Sequence, residues 1–417
     1  MKLEKVPPVT DILLLIGILL LPFYIFPSGS IQPSHAFLIT GATLFVLFGS
    51  RLFLELREVL AGFFLAFYIL LVGFTWYLLI GDTAPAIGAL QHAINVFISI
   101  AIVARARQFF SLYQRFVPLA FLLGLIFQVT WYVFGIGMYG GTRFLGTFND
   151  PNQLAYWVIC MAGVSLIIAR PNTSVLTLIM VLATFTLILT KSRSGFIGFA
   201  PIFALFSFSI IFYVFSKSRF RGTATFLFLL VGLYIFVFAQ FFGLLSFDET
   251  YTFFLNETLV FWQRLEMLDI NNQLELRGYD RFRFYPDYVI FGAGQGGGFR
   301  FPLVAYPEVE IHSTIVGFLF YYGMIGFGFA LFFLIIVFRN CSLFDLVVFS
   351  GPIIYGLGTY GARNTAFWLL IAFIASSRGQ IVRALPTRAL LAVWRAGRDA
   401  TSPPTHNRQV TGSVKKY

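Results

Sequence analysis

Charge is what this chain lacks first: only 11% of its 417 residues are Asp, Glu, Lys or Arg. A soluble domain carries about 25%, so a water-facing globular surface is excluded. Cysteine is almost absent too. Cys160 and Cys341 both sit in or beside apolar runs, with no metal-ligand spacing and no basis for a disulfide between them. Histidine occurs four times, at 35, 92, 312 and 406. The alternation of a transmembrane β-barrel is also missing.

What is present is apolar. Hydrophobic residues make up 58% of the chain and aromatics 19%. Long uncharged runs recur, which predicts an all-α, polytopic membrane helical bundle. Windows of about 20 residues place twelve helices near 12–27, 36–50, 59–80, 87–104, 116–138, 153–169, 174–190, 195–216, 223–247, 313–338, 343–360 and 364–378. The run Leu13–Phe26 lacks a small-x-small cleavage site and reads as a retained first helix. The organisation expected is helices over 1–247, a charged loop over 248–312, further helices over 313–378, and a basic, disordered tail over 379–417.

Twenty of the 29 Lys and Arg residues, among them Arg57, Arg105, Arg107 and Arg115, fall in one set of connections and the C-terminal tail. The positive-inside rule makes that side cytoplasmic and puts both termini there. The net charge of +11 is then partly a topology signal and does not imply nucleic acid. Nine cations lie outside: Arg143, Lys191, Arg193, Arg264, Arg277, Arg281, Arg283, Arg300 and Arg363.

The loop from Asp248 to Glu310 holds ten of the 18 acids and five of those nine cations, which points to chemistry on the outer face. Within it Phe261, Leu265, Leu268 and Trp262 suit a membrane surface. Arg277 and Arg281 are four apart, so one helical face would carry both guanidiniums. They would then suit a diphosphate or pair with neighbouring acids. "FGAGQGGGF" (Phe291–Phe299) lies outside any βαβ context and reads as a turn or hinge. In "TKSRSGFIG" (Thr190–Gly198), Lys191 can snorkel to headgroups, whereas Arg193 sits in a tight turn as the better anion contact. In "GTRFLGTFNDPNQLAYW" (Gly141–Trp157), Asn149, Asp150 and Asn152 read as helix caps, and Arg143 is left over as another phosphate contact. His312 stands where the loop re-enters the bilayer and suits a general base, or else a histidine satisfied by headgroups. Glu310 is a candidate to orient it. His35 falls in an outer link, and His92 reads as a packing residue.

In order, "GTFNDPNQLA", "TKSRSG", "RGYDRF", "FGAGQG" and "EIHS" before "LFYYGMIG" resemble the bacterial O-antigen ligase and O-antigen polymerase superfamily, over roughly Gly141–Gly326. The resemblance implies a metal- and cofactor-independent, inverting glycosyltransferase of the inner membrane, active on its periplasmic face. Its partners would be membrane lipids, an undecaprenyl-diphosphate-linked oligosaccharide donor and a glycan acceptor. Carried over by motif, Arg193 and one or both of Arg277 and Arg281 would hold the diphosphate, and His312 would be the base. Arg264 and Arg283 lie outside the clearest motif. A polymerase acting on repeat units is favoured over a ligase acting on lipid A–core. A transporter of lipid-linked sugars is the reading from another class.

Overall fold

A computed structural model describes residues 8–26, 30–48, 56–140, 143–168, 173–216, 275–307 and 310–377. The expected helix 223–247, the loop up to 274 with Arg264 and the Phe261–Leu268 segment, and the basic tail lie outside the described residues. So do several of the cations that set the expected orientation.

The chain is mostly helical. The long elements are α1 (Val9–Leu19), α2 (Pro33–Phe48), α3 (Leu56–Ile80), α4 (Ala84–Gln108), α5 (Phe110–Val133), α6 (Pro151–Ile168), α7 (Thr173–Thr190) and α8 (Arg193–Ser216). Two single-turn helices follow, α9 (Arg281–Phe284) and α10 (Tyr288–Phe291), and then α11 (Thr314–Phe338), α12 (Leu343–Gly358) and α13 (Thr365–Ser376). Six of these are long and apolar enough to cross a membrane. A helix rises about 1.5 Å per residue, so 18 residues or more approach the hydrocarbon thickness.

Local chemistry sets where the helices begin. Pro151 opens α6 while the Asp150 carboxylate accepts the Asn152 N–H at 2.7 Å. Ser313 starts α11 by accepting the Val316 N–H, and Ser342 with Asp345 forms a capping box on α12. Asn364 caps α13 through the Ala366 N–H at 2.9 Å.

Burial sorts the helices into layers. In α6, 89% of the apolar window is buried, against 22% in α3. Helix α6 and the fully buried α13 therefore form the centre, packed on each other and on α4, α8 and α12. Helix α3 is peripheral and presents Phe63, Phe64, Phe67 and Phe74 outward, as a lipid-facing helix would.

The two ends of the bundle differ. At one end the last turn of α4 makes two ion pairs: Arg105 with the fully buried Asp11, and Arg107 with Glu58 at 2.7 Å. The Tyr113 hydroxyl also donates to Asp11 at 2.9 Å. Arg105 and Arg107 thus belong to a helix longer than its apolar window, and not to a connection. Their charge draws the helix out of the uncharged run.

At the other end a short hairpin, β1 (Met138–Tyr139) with β2 (Arg143–Phe144), joins the links that precede α2, α4, α6, α8, α11 and α13. Here α11 is broken at Gly323, whose φ of 69° and ψ of 178° are not helical. The break frees the carbonyls of Phe320 and Tyr321, which accept the N–H groups of Ala293 and Gly294 at 2.9 and 2.8 Å. Orphaned helix carbonyls need donors, and the glycine loop supplies them.

Candidate functional site

Every described motif of the sequence analysis arrives at this second end. The Asn152 amide oxygen accepts from Ser192 at 3.0 Å and from Arg143 at 3.2 Å, while its backbone carbonyl accepts the Tyr355 hydroxyl at 2.7 Å. One asparagine thereby ties the starts of α6 and α8 to α12. The Ser192 hydroxyl also accepts the Gly195 N–H at 3.2 Å, and Gly195 lets α8 approach Ala155 closely.

Only Asp150 of the three expected caps acts as one. Asn149 donates to the Phe26 carbonyl at 3.1 Å, and Asn152 is the hub just described. Arg143, half-buried, donates to the Thr190 carbonyl at 3.1 Å, so its guanidinium fastens the hairpin to the end of α7.

A cavity of about 200 Å³ opens among these links. Its wall includes Asp150, Asn152, Glu310, His312 and Arg363. The His312 side chain is exposed, and its ring makes no hydrogen bond among the described residues. Its backbone N–H donates to the Arg277 carbonyl at 3.1 Å. Partial burial pulls its pKa below the ordinary 6.5, the Arg277 guanidinium adds to that, and the Glu310 and Asp150 carboxylates oppose it. The imidazole is therefore neutral at pH 7 and able to accept a proton.

Glu310 does not orient that ring. Its carboxylate takes Arg363 at 2.5 Å on one oxygen and the Gln295 amide at 2.6 Å on the other. Two residues on, His312 is held by the backbone.

The arginines divide. Arg277 and Arg281 do not share a helical face, because Gly278 turns at φ 71° and α9 begins only at Arg281. Arg281 is buried. Its guanidinium donates to the Pro307 carbonyl at 2.8 Å and lies over Phe301. Arg283 is exposed beside the Phe284 ring. Arg277 points to the α12 C-terminus, where it reaches the Gly358 carbonyl at 3.4 Å. A methyl group on Gly358 would lie 3.8 Å from the Arg277 guanidinium and 3.9 Å from Ser194. The segments bearing Arg277 and Arg193 therefore meet at Gly358, one residue from Thr359 on the cavity wall.

Two polar residues, Arg363 and His35, take on their roles only in three dimensions. Arg363 was visible as one of the nine outer cations, but nothing near it in sequence marked it. His35 lies in the first turn of α2, not in a link. It accepts the Gln32 N–H at Nδ1 and meets the Thr365 hydroxyl at 2.8 Å through Nε2. Thr365 donates on to Asn95, which donates to the Arg363 carbonyl at 2.9 Å. This buried chain fixes the backbone that presents Arg363. His92 meets the Tyr360 hydroxyl at 3.0 Å and packs edge-on against Phe318 and Tyr322, in keeping with a packing role.

Among the described residues no three His, Cys, Asp or Glu side chains gather as a metal-ligand set. No protein-family model matches the chain, and sequence comparison with curated proteins gives no match.

Proposed function

We propose that this membrane protein is a glycosyltransferase that moves a glycan from a polyprenyl diphosphate, of the undecaprenyl type, onto a sugar hydroxyl at the periplasmic face of the bacterial inner membrane. The observation that carries this is His312, a neutral base exposed on a cavity wall beside the meeting point of the Arg277 and Arg193 segments. The order of the sequence motifs supports the same reading.

In this reading the His312 imidazole takes the proton of the acceptor hydroxyl as its oxygen attacks the anomeric carbon. The bond from that carbon to the diphosphate oxygen breaks, and the pair of electrons leaves with the lipid diphosphate. Arg277 and Arg193 offset the charge gathering there. Arg143 and Arg281, engaged with backbone carbonyls, shape the site around them. The twelve-helix topology with both termini cytoplasmic belongs to this proposal, since it places the cavity on the outer face.

Polymerase activity on repeat units is the favoured form, and transfer to lipid A–core is the alternative. A deletion strain rescued with wild type or His312→Ala separates them. Loss of long chains with acceptor capped by one repeat means polymerase. Bare lipid A–core with long glycan left on the carrier means ligase. Loss of lipid-linked units from the outer face alone, with transfer chemistry intact, means a transporter instead.

A further inference from the structure

A second cavity, of about 590 Å³, adjoins the first. Its volume lies in the range of ligand sites, about 300–1,000 Å³, and exceeds that of the His312 cavity. Ser30, Gln91, Glu310 and Arg363 line both, so the Glu310–Arg363 ion pair is part of the wall between them.

The lining of this chamber is rich in acceptors. Gln295 is 4% exposed, and its amide nitrogen is committed to Glu310, yet its oxygen Oε1 is buried with no donor. A buried acceptor without a partner is costly and rare in a native fold, and this one belongs to a side chain on the chamber wall. Asp82 and Glu310 add carboxylates on the same walls.

The arginines there are occupied. Arg281 is turned to the Pro307 carbonyl and Arg363 to Glu310. Phe299, 62% exposed, offers an open aromatic ring. The two carboxylates on these walls are matched by the guanidiniums of Arg281 and Arg363, so the lining carries no excess charge and suits an uncharged ligand. Hydroxyl donors and the C–H face of a pyranose meet both its acceptors and its ring.

The site is built rigidly. Gly294, Gly296 and Gly297 all have positive φ, and Arg300 clamps the loop through the carbonyls of Ala293 at 2.6 Å and Gly296 at 2.9 Å. Gly88 makes room for the Gln295 amide, since a methyl group there would lie 2.7 Å from Oε1.

We infer that this chamber binds an uncharged sugar of the acceptor glycan, with hydroxyls donated to Gln295, Glu310 and Asp82 and a ring face laid on Phe299. As the acceptor site it rests on the glycosyltransferase reading; as a sugar site it stands by itself. The acceptor then lies against the Glu310–Arg363 wall, on whose far side His312 waits.

The test has two arms on full-length protein in nanodiscs. In the first, the lipid-free repeat-unit oligosaccharide released from the carrier lipid of the native host is titrated by saturation-transfer NMR. Wild type binds it, and Phe299→Ala and Gln295→Leu weaken binding at least tenfold. Phe299 is exposed, so its variant keeps the fold even where Gln295→Leu disturbs it. No binding by wild type, or equal binding by Phe299→Ala, overturns the inference whether or not the protein is a transferase. In the second arm, transfer kinetics show the acceptor KM rising about tenfold in Phe299→Ala with the donor KM unchanged. A rise in donor KM instead overturns the acceptor assignment. Absence of any transfer by wild type contradicts the glycosyltransferase reading and leaves the binding arm to decide the sugar site.

Discussion

At His312 the environment sets the pH behaviour. On the proposed mechanism His312 must be neutral to act, so activity should be lost as pH falls through its folded pKa, which lies below 6.5. The acidic limb of kcat/KM is therefore expected below pH 6.5, since that profile reports the free enzyme. Arg277→Gln removes one lowering influence and should move the limb towards neutrality. Glu310→Gln removes a raising influence and should move it further into acid. His312→Ala should lower transfer by about 10²–10⁴ at normal membrane levels, measured as glycan product per unit protein. Motif reading found this residue because a titratable group at the edge of an apolar run is conspicuous. It did not find that Glu310 serves Arg363 and Gln295, because those partners lie 53 and 15 residues away.

The glycine loop and the break in α11 are one joint made by two elements. A methyl group on Gly292 would sit 2.6 Å from the Tyr321 carbonyl oxygen, and one on Gly323 would sit 2.3 Å from the Ile290 carbonyl oxygen. Both residues also hold positive φ, at 96° and 69°. Gly292→Ala or Gly323→Ala is thus expected to destabilise the protein by more than the roughly 1–3 kcal/mol of backbone strain alone. Thermal unfolding in detergent should show a lower Tm and reduced protection of residues 291–297 from hydrogen exchange. Eleven of the twelve apolar windows overlap described helices, six of which are long and apolar enough to cross a membrane, because a long uncharged run suffices to mark an apolar helix. The hairpin at 138–144, the single turns α9 and α10, and the break at Gly323 were not legible. The hairpin and the single turns are too short to show as apolar runs, the break at Gly323 depends on hydrogen bonds to the distant glycine loop, and "FGAGQGGGF" announced a turn without naming the helix it docks on.

Across the whole molecule, the buried ion pairs of Asp11 and Glu58 and the His312 cavity occupy opposite ends of the bundle. Asp11, Arg105 and Tyr113 bind α1, α4 and α5 far from His312. Removing one partner of such a buried pair costs about 3–5 kcal/mol, so Asp11→Asn should lower the Tm while leaving turnover per folded molecule near wild type. A combined fall in kcat at full folding would show that the two ends are coupled. The apolar composition announced a membrane bundle, and the ordered motifs announced where its polar chemistry gathers. The cavities themselves follow only from how α2, α4, α6, α11 and α13 converge. The central claim is tested most directly by reconstituting purified protein in liposomes with the lipid-diphosphate-linked repeat unit of its native host and resolving the products by gel and mass spectrometry. The account predicts longer lipid-linked glycan with wild type and none above background with His312→Ala. Equal product from His312→Ala, correctly folded, would contradict it.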